Sequence, residues 1–305
     1  MNRAEVKIVE RIEELKKKRQ AIILAHNYQP SEIQDLADYC GDSLELSRIA
    51  AKTKARVVVF CGVNFMAETA SILCPDKKVI MPDKNAGCPM ADMLTIKELR
   101  ALRQKHPQAT VVAYVNTLAE VKAESDVCCT SANAVSVVNG LRDKKEIIFV
   151  PDKYLADFVS RKTGRELIVW DGFCPVHAEI LPRDIKREKG LHPGACVIVH
   201  PECLPEVIAL ASAALSTSQM CSFVKTSQRR EFIIGTEVGL IYRLKKENPR
   251  KEFYPGKNEA VCWDMKQVTI KDVLEALEGL RFEVRVPGEI RRRARRAIKE
   301  MVKIA

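Results

Sequence analysis

An α/β fold of three repeated parallel-sheet units is predicted by this sequence on three observations. Short apolar runs such as AIILAH, VVVF, TVVAYV, EIIFV, CVIVH and FIIG alternate with helical patterns, as strands buried on both faces of a parallel sheet would. Three of the runs end at His26, Tyr114 and His200, spaced 88 and 86 residues apart, and two residues beyond them stand Tyr28, Asn116 and Glu202. Cys88, Cys174 and Cys262 follow the same three positions by 62, 60 and 62 residues, so the cysteine spacings of 86 and 88 track the repeat. Triplication followed by drift accounts for this. The expectation is three αβα sandwiches about a pseudo-threefold axis, with one thiol from each offered to a common centre.

The second repeat shows the pattern most fully. Strand-like TVVAYV is followed by a short helix from Leu118, a strand DVCC, a helix opening at Ser131, a strand EIIFV, a helix across Tyr154 to Lys162, a strand ELIVW and then Cys174. The first and third repeats parse alike, and the dipeptides His106-Pro107 and His192-Pro193 precede a new first strand. The expected division is an N-terminal helix over 1–20, repeats over 21–108, 109–194 and 195–280, and a C-terminal helix over 281–305. The two terminal helices should pack outside, through Ile8, Val9, Ile12 and Leu15 in one and Ala294, Ala297, Ile298 and Met301 in the other.

At 305 residues and 47% apolar content, the chain can bury a substantial core. No run approaches the ~18 apolar residues of a membrane span, and the first residues lack an apolar signal core, so a cytoplasmic location is expected. The net charge of +10 invites a nucleic-acid reading, but its location argues against one. Residues 281–305 hold nine Lys/Arg against three Glu and residues 1–20 hold seven against four, leaving 10 − 6 − 3, or +1, for the body. Those are solvated faces of amphipathic helices. No interleaved aromatic-basic stripe, GxGxxG or GxxxxGK[ST] run is present, so nucleic-acid, dinucleotide and P-loop readings are weak.

Eleven cysteines with no CxxC pair do not form a zinc-ribbon or thioredoxin pattern. Eight of them, Cys40, Cys61, Cys74, Cys128, Cys129, Cys196, Cys203 and Cys221, read as small buried hydrophobes, and the repeat singles out the other three. Three thiolates from separated loops can hold zinc with water as a fourth ligand, or a [4Fe–4S] cluster with one iron free of protein ligands. The residues alone leave both open.

Open parallel sheets bind ligands beyond the carboxyl ends of their strands, and strand positions i and i+2 share a side. His26 with Tyr28, Tyr114 with Asn116, and His200 with Glu202 should therefore enter one mouth as pairs. Ser43, Ser131 and Thr217 each lie 17 residues past those strand ends and read as helix openers. As N-caps they would be worth ~1 kcal/mol each, and helix N-termini facing a cavity would also suit carboxylates or phosphates.

The ordered motifs HNYQ at His26, GDSLEL at Ser43, VAYVNT at Tyr114, CTSANA at Ser131, PDK at Asp152, GFCPVH at Cys174, HPEC at His200, STSQM at Thr217, GTEVGLIYRL at Glu237 and CWDMK at Cys262 closely resemble the quinolinate synthase family through nearly the whole chain. The resemblance is to the shorter form, because the CxxCxxC-type stretch of some members is absent. It implies three similar αβα domains and an oxygen-sensitive [4Fe–4S] cluster ligated by Cys88, Cys174 and Cys262. The implied enzyme is transferase-type and condenses iminoaspartate with dihydroxyacetone phosphate to quinolinate, phosphate and two waters in de novo NAD biosynthesis. A functional link to the enzyme that supplies iminoaspartate is implied too, with no nucleic-acid or membrane partner.

On that reading His26, Tyr28, His200 and Glu202 move protons, and Ser43, Tyr114, Asn116, Ser131 and Thr217, with His26, His200 and Glu202, bind substrate. His177 is placed outside the site, and Trp263 has no assigned role. Two other classes fit the residues less well. A hydro-lyase with the same cluster chemistry would turn over a simple hydroxy acid, and a non-catalytic iron-sensing or nucleic-acid reader would bind through the basic ends with salt-dependent affinity.

Overall fold

In the computed structural model, which describes residues 3–304, parallel pairing recurs three times. Met1, Asn2 and Ala305 of the expected terminal segments lie outside the described residues. The first sheet holds β1 (Ala21–His26), β2 (Tyr39–Gly41), β3 (Val57–Cys61) and β4 (Lys78–Ile80). The second holds β5 (Thr110–Tyr114), β6 (Val127–Cys129), β7 (Ile147–Val150) and β8 (Ile168–Val169). The third holds β9 (Cys196–Val199), β10 (Ala213–Ala214), β11 (Glu231–Gly235) and β12 (Glu252–Pro255).

The strand orders are β2-β1-β3-β4, β6-β5-β7-β8 and β10-β9-β11-β12, the same winding each time. In every sheet the chain leaves the first strand to one side and then crosses to the other. Helices flank each sheet, giving the three αβα sandwiches that the alternating pattern predicts.

Registers show how closely the units match. Ala25 pairs with Cys61, Ala113 with Val150, and Val199 with Gly235, at equivalent places in the three sheets. Alternate residues then face opposite layers, as the two-residue strand period requires. In β3, Val58 and Phe60 join the large core that runs through the molecule, whereas Val57, Val59 and Cys61 face a second core under the terminal helix. In the third sheet, Ile198, Phe232 and Ile234 face the large core and Val197, Val199 and Ile233 the opposite layer. Strand ELIVW is shorter than its apolar run: only Ile168 and Val169 pair, while the Trp170 indole turns away to donate to the Met93 carbonyl at 2.8 Å.

The terminal helices do pack outside the sheets. Helix Arg3–Arg19 buries Ile12 and Leu15 against the first sheet and against helix Ile270–Gly279, which also packs on β3 although it follows the third sheet in sequence. Helix Gly288–Lys303 buries Ala294, Ala297, Ile298 and Met301 against helices Asn64–Leu73 and Ala119–Ala123 and strand β6, joining the first two units. Part of its basic face is neutralised, since Arg293 meets Glu124 at 2.7 Å. No helix among the described residues is long and apolar enough to cross a membrane.

The layered core carries a direct test. Phe149 is fully buried at the centre of β7, so Phe149→Ala should cost about 3–5 kcal/mol through lost transfer energy and a residual cavity. Urea denaturation would measure it, and a loss below about 1 kcal/mol would show that the second sheet is not packed as described.

Candidate active site

The winding reversal leaves a crevice between the first and third strand of each sheet, at the carboxyl ends where ligands bind in such folds. His26 closes β1, Tyr114 closes β5 and His200 directly follows β9. Beyond them one cavity is lined by residues from all three units. It brings together His26, Tyr28, Ser43, Tyr114, Asn116, Ser131, His200, Glu202 and Thr217 with Cys88, Cys174 and Cys262, which is every residue the sequence reading assigned to a site.

The hydroxyl residues sit differently from the expected helix caps. Asp42 caps helix Ser43–Lys52, its carboxylate accepting from Leu44 N and Glu45 N, and Ser216 caps helix Thr217–Thr226 by accepting from Gln219 N. Ser43 and Thr217 therefore take the first helical position, one residue further on. Ser131 lies in a turn before helix Ala134–Gly140 and its Oγ meets His200 Nε2 at 3.2 Å. In the first and third units capping is thus done by the neighbours. Thr217 Oγ1 instead accepts from Asn27 Nδ2 at 2.8 Å.

A continuous chain of hydrogen bonds crosses the cavity wall. Tyr28 Oη lies 2.6 Å from Thr236 Oγ1, Thr236 Oγ1 lies 2.8 Å from His177 Nε2, and His177 Nδ1 lies 2.8 Å from Glu202 Oε2. The Tyr114 hydroxyl donates to the other Glu202 oxygen. An ionised carboxylate only accepts, which fixes the rest of the chain. With His177 as a neutral imidazole donating from Nδ1, Nε2 accepts from Thr236, and Thr236 accepts from Tyr28.

Electrostatics keep that polarity. Burial would raise the Glu202 carboxyl, but the His200 and His177 imidazoles and hydrogen bonds from His177 and Tyr114 outweigh it and hold the group well below the usual carboxylate range. Burial and the Glu202 charge push both Tyr28 and Tyr114 well above the ordinary phenol value, so both stay protonated donors at rest. Burial also drives His26 and His200 down to about 3, leaving both imidazoles neutral at physiological pH.

Each cysteine stands immediately before a short helical turn: Cys88 before Pro89–Asp92, Cys174 before Pro175–Ala178, and Cys262 before Trp263–Lys266. This explains the residues that follow them. Proline suits a first helical position, where no N–H is needed, and Trp263 takes the same place in the third unit with its side chain 76% exposed. Burial raises Cys88 to about 12 and Cys262 to about 11, and pushes Cys174 well above the ordinary thiol value, opposed by backbone N–H groups of the turn behind each sulfur. Only a cation would make three such sulfurs thiolates together.

The remaining eight cysteines are free as well, and Cys128 and Cys129 are fully buried in β6, away from the cavity lining. Cys174 Sγ, a His177 nitrogen and a Glu202 oxygen also lie within 4.8 Å of one another. That grouping already has internal partners, because His177 Nδ1 reaches Glu202 and, at 3.2 Å, Cys174 Sγ. Among the described residues, Asn116 Oδ1 is a buried cavity-lining atom that bonds nothing in the protein. It suits a donor on a ligand.

Four residues were missed by the sequence reading. His177, placed outside the site, is 2% exposed and occupies the middle of the chain from Glu202 to Tyr28. Its signal was available, since it falls at the third position of the turn after Cys174 and so points back to that sulfur. Thr236 follows the end of β11 and carried no signal beyond its place in GTEVGL. Glu237 and Asp152 appeared only inside motifs, yet both are fully buried carboxylates beside cysteine loops.

The chain is similar to known proteins over nearly its whole length. Residues 10–303 match the family model described as quinolinate synthetase A protein. A quinolinate synthase of Dehalococcoides mccartyi (strain CBDB1) is 55% identical over 297 residues, covering 97% of this chain and 98% of the relative. One from Methanoregula boonei is 55% identical over 293 residues, covering 96% and 97%. Another from Methanosarcina barkeri is 50% identical over 300 residues, covering 98% of each.

The buried imidazoles set a pH dependence. The unfolded chain binds protons at His26 and His200 below about pH 6.5, whereas the folded chain resists until about 3. Stability should therefore be full above pH 6.5 and decline as pH falls through that window, by on the order of a few kcal/mol. Urea midpoints from pH 7.5 to 5 measure the slope. His200→Asn should flatten it, and an unchanged midpoint in the parent protein would show these imidazoles are not buried neutral.

Proposed function

The chain belongs to the quinolinate synthetase A family and is an enzyme, and from that premise we propose that it condenses iminoaspartate with dihydroxyacetone phosphate in NAD biosynthesis. The products are quinolinate, phosphate and two waters. The observation that carries the reading is the meeting of three repeat-related cysteines with the Glu202–His177–Thr236–Tyr28 chain in one cavity.

Cys88, Cys174 and Cys262 would hold a [4Fe–4S] cluster. The donor set fits: three sulfurs on separate loops line one wall, and no fourth cysteine lines the cavity to complete a closed site. When bound, such a cluster supplies a Lewis-acidic iron that polarises substrate oxygen and assists loss of water.

The chain's own residues supply positioning and proton transfer. Tyr28 can pass its proton through Thr236 to His177 Nε2, and the imidazolium so formed is stabilised by Glu202 across 2.8 Å. Returned in reverse, the same proton serves a departing oxygen. Glu202 also keeps Tyr114 oriented, while the neutral His26 and His200 imidazoles can accept protons during tautomerisation and ring closure. Substrate brings two carboxylates and a phosphate. Ser43, Ser131 and Thr217 offer hydroxyl groups to them, and the unpartnered Asn116 Oδ1 accepts from the imine or amine nitrogen.

Burial excludes water from a condensation that must itself release it. Every member of the Tyr28 chain is under one-tenth exposed, so the charge on Glu202 acts in a low-dielectric surrounding where it counts for more.

Turnover tests the reading directly. Anaerobic protein given dihydroxyacetone phosphate and freshly generated iminoaspartate should form quinolinate, detectable by chromatography. Glu202→Gln should retain the visible absorption of the parent while losing about 100-fold or more in kcat, because the amide cannot stabilise the His177 cation. A Glu202→Gln protein of full activity would reduce Glu202 to scaffold, and a parent that dehydrates a simple hydroxy acid but ignores iminoaspartate would support a hydro-lyase instead.

A further inference from the structure

We infer that Asp152 and Glu237 are positioning residues that hold two of the three cysteines by their backbone N–H groups, so that the cluster legs are pre-set by buried carboxylates. The inference rests on the cluster reading above and concerns what fixes its ligands. In the shared register of the three sheets, the third strand reaches equivalent places at Cys61, Val150 and Gly235. Two residues beyond these stand Val63, Asp152 and Glu237. Two of three equivalent positions therefore carry a fully buried acid.

Both acids do the same double task. Asp152 accepts from Leu155 N at 2.7 Å with Oδ1 and from Cys174 N at 3.1 Å with Oδ2. Glu237 accepts from Gly239 N at 2.8 Å with Oε2 and from Cys262 N at 3.2 Å with Oε1. Each carboxylate thus ties the chain just past the third strand to the cysteine 22 or 25 residues later, and both are 0% exposed. Burial pushes both carboxyls above the usual range, and these N–H groups, donating to both oxygens of each acid, oppose that push. An amide would satisfy one N–H and present its own N–H to the other.

The first unit departs in an informative way. The Val63 side chain cannot accept a hydrogen bond, and the N–H beside Cys88, that of Gly87, goes instead to Asp264 Oδ1 at 3.1 Å. Asp264 lies two residues after Cys262. The Cys88 loop is therefore held by the Cys262 loop, which is itself held by Glu237. Lys266 extends this outwards, meeting Glu237 Oε1 at 2.8 Å and donating to the Tyr28 carbonyl. One carboxylate thus links two cysteine loops to the backbone of the proton-transfer tyrosine.

A purely structural role would show in unfolding alone, so the test reads iron release. Parent, Asp152→Ala, Glu237→Ala and Thr95→Ala proteins would be reconstituted anaerobically and challenged with an iron chelator, while melting temperatures of the same samples are recorded. Thr95 caps helix Ile96–Lys105 in an exposed capping box remote from the cavity, and controls for loss of a cap. Asp152→Ala and Glu237→Ala should release iron about tenfold faster than the parent, as expected when a ligand's supporting contact is removed. Thr95→Ala should release it at the parent rate, and Asp152→Asn, which keeps one acceptor, should fall between parent and Asp152→Ala. Parent-like release from both alanine variants, or equally fast release from Thr95→Ala, overturns the inference while leaving the cofactor reading intact. A parent that takes up no iron and sulfide overturns both.

Discussion

Three parallel sheets that reverse their winding at the same place constrain everything else in this molecule. The reversal between first and third strand opens a crevice at the carboxyl end of each sheet, and the common register brings His26, Tyr114 and His200 to equivalent points on its rim. Cavity-lining pairs, hydroxyl residues and cysteine loops all hang from those strand ends. A one-residue slip in any first strand would turn its cavity-lining pair away from the cavity and into a core layer.

Much of this was legible in the residues because strand ends and spacing are local signals. AIILAH, VVAY and CVIVH mark buried parallel strands by their continuous apolar character, and the 86 to 88 residue repeat converts three such strands into three units. The same spacing selected Cys88, Cys174 and Cys262 from eleven cysteines, and the structure puts those three, unlike Cys128 or Cys129, on the cavity wall. What escaped was decided by three-dimensional contact. His177 became central because Glu202 and Thr236, distant in sequence, approach its two nitrogens. Ser43 and Thr217 read as caps because serine and threonine favour helix starts, but Asp42 and Ser216 one residue earlier take that task. Asp152 and Glu237 were invisible as holders of cysteine loops, since nothing in a linear sequence reveals which N–H a buried carboxylate will meet.

The site also shows how function is set against stability. His26, Glu202, Asp152 and Glu237 are all nearly or fully buried, and burying polar groups is unfavourable unless they are hydrogen-bonded. Glu202 is satisfied across units, by His177 and Tyr114, whereas Asp152 and Glu237 are satisfied by backbone N–H groups of their own units. The large apolar core shared across the units supplies the opposing term. Dryness then serves chemistry as well, because it keeps both tyrosines protonated and both strand-end imidazoles neutral.

The account stands on three sulfurs serving one inorganic centre. Anaerobic purification followed by iron and acid-labile sulfide counting, repeated after changing single cysteines to alanine, addresses it most directly. About four irons and four sulfides are expected in the parent, with the cluster lost from Cys88→Ala, Cys174→Ala and Cys262→Ala and kept in Cys128→Ala. Zinc in place of iron and sulfide, or a full cluster surviving any of the first three changes, would contradict the account.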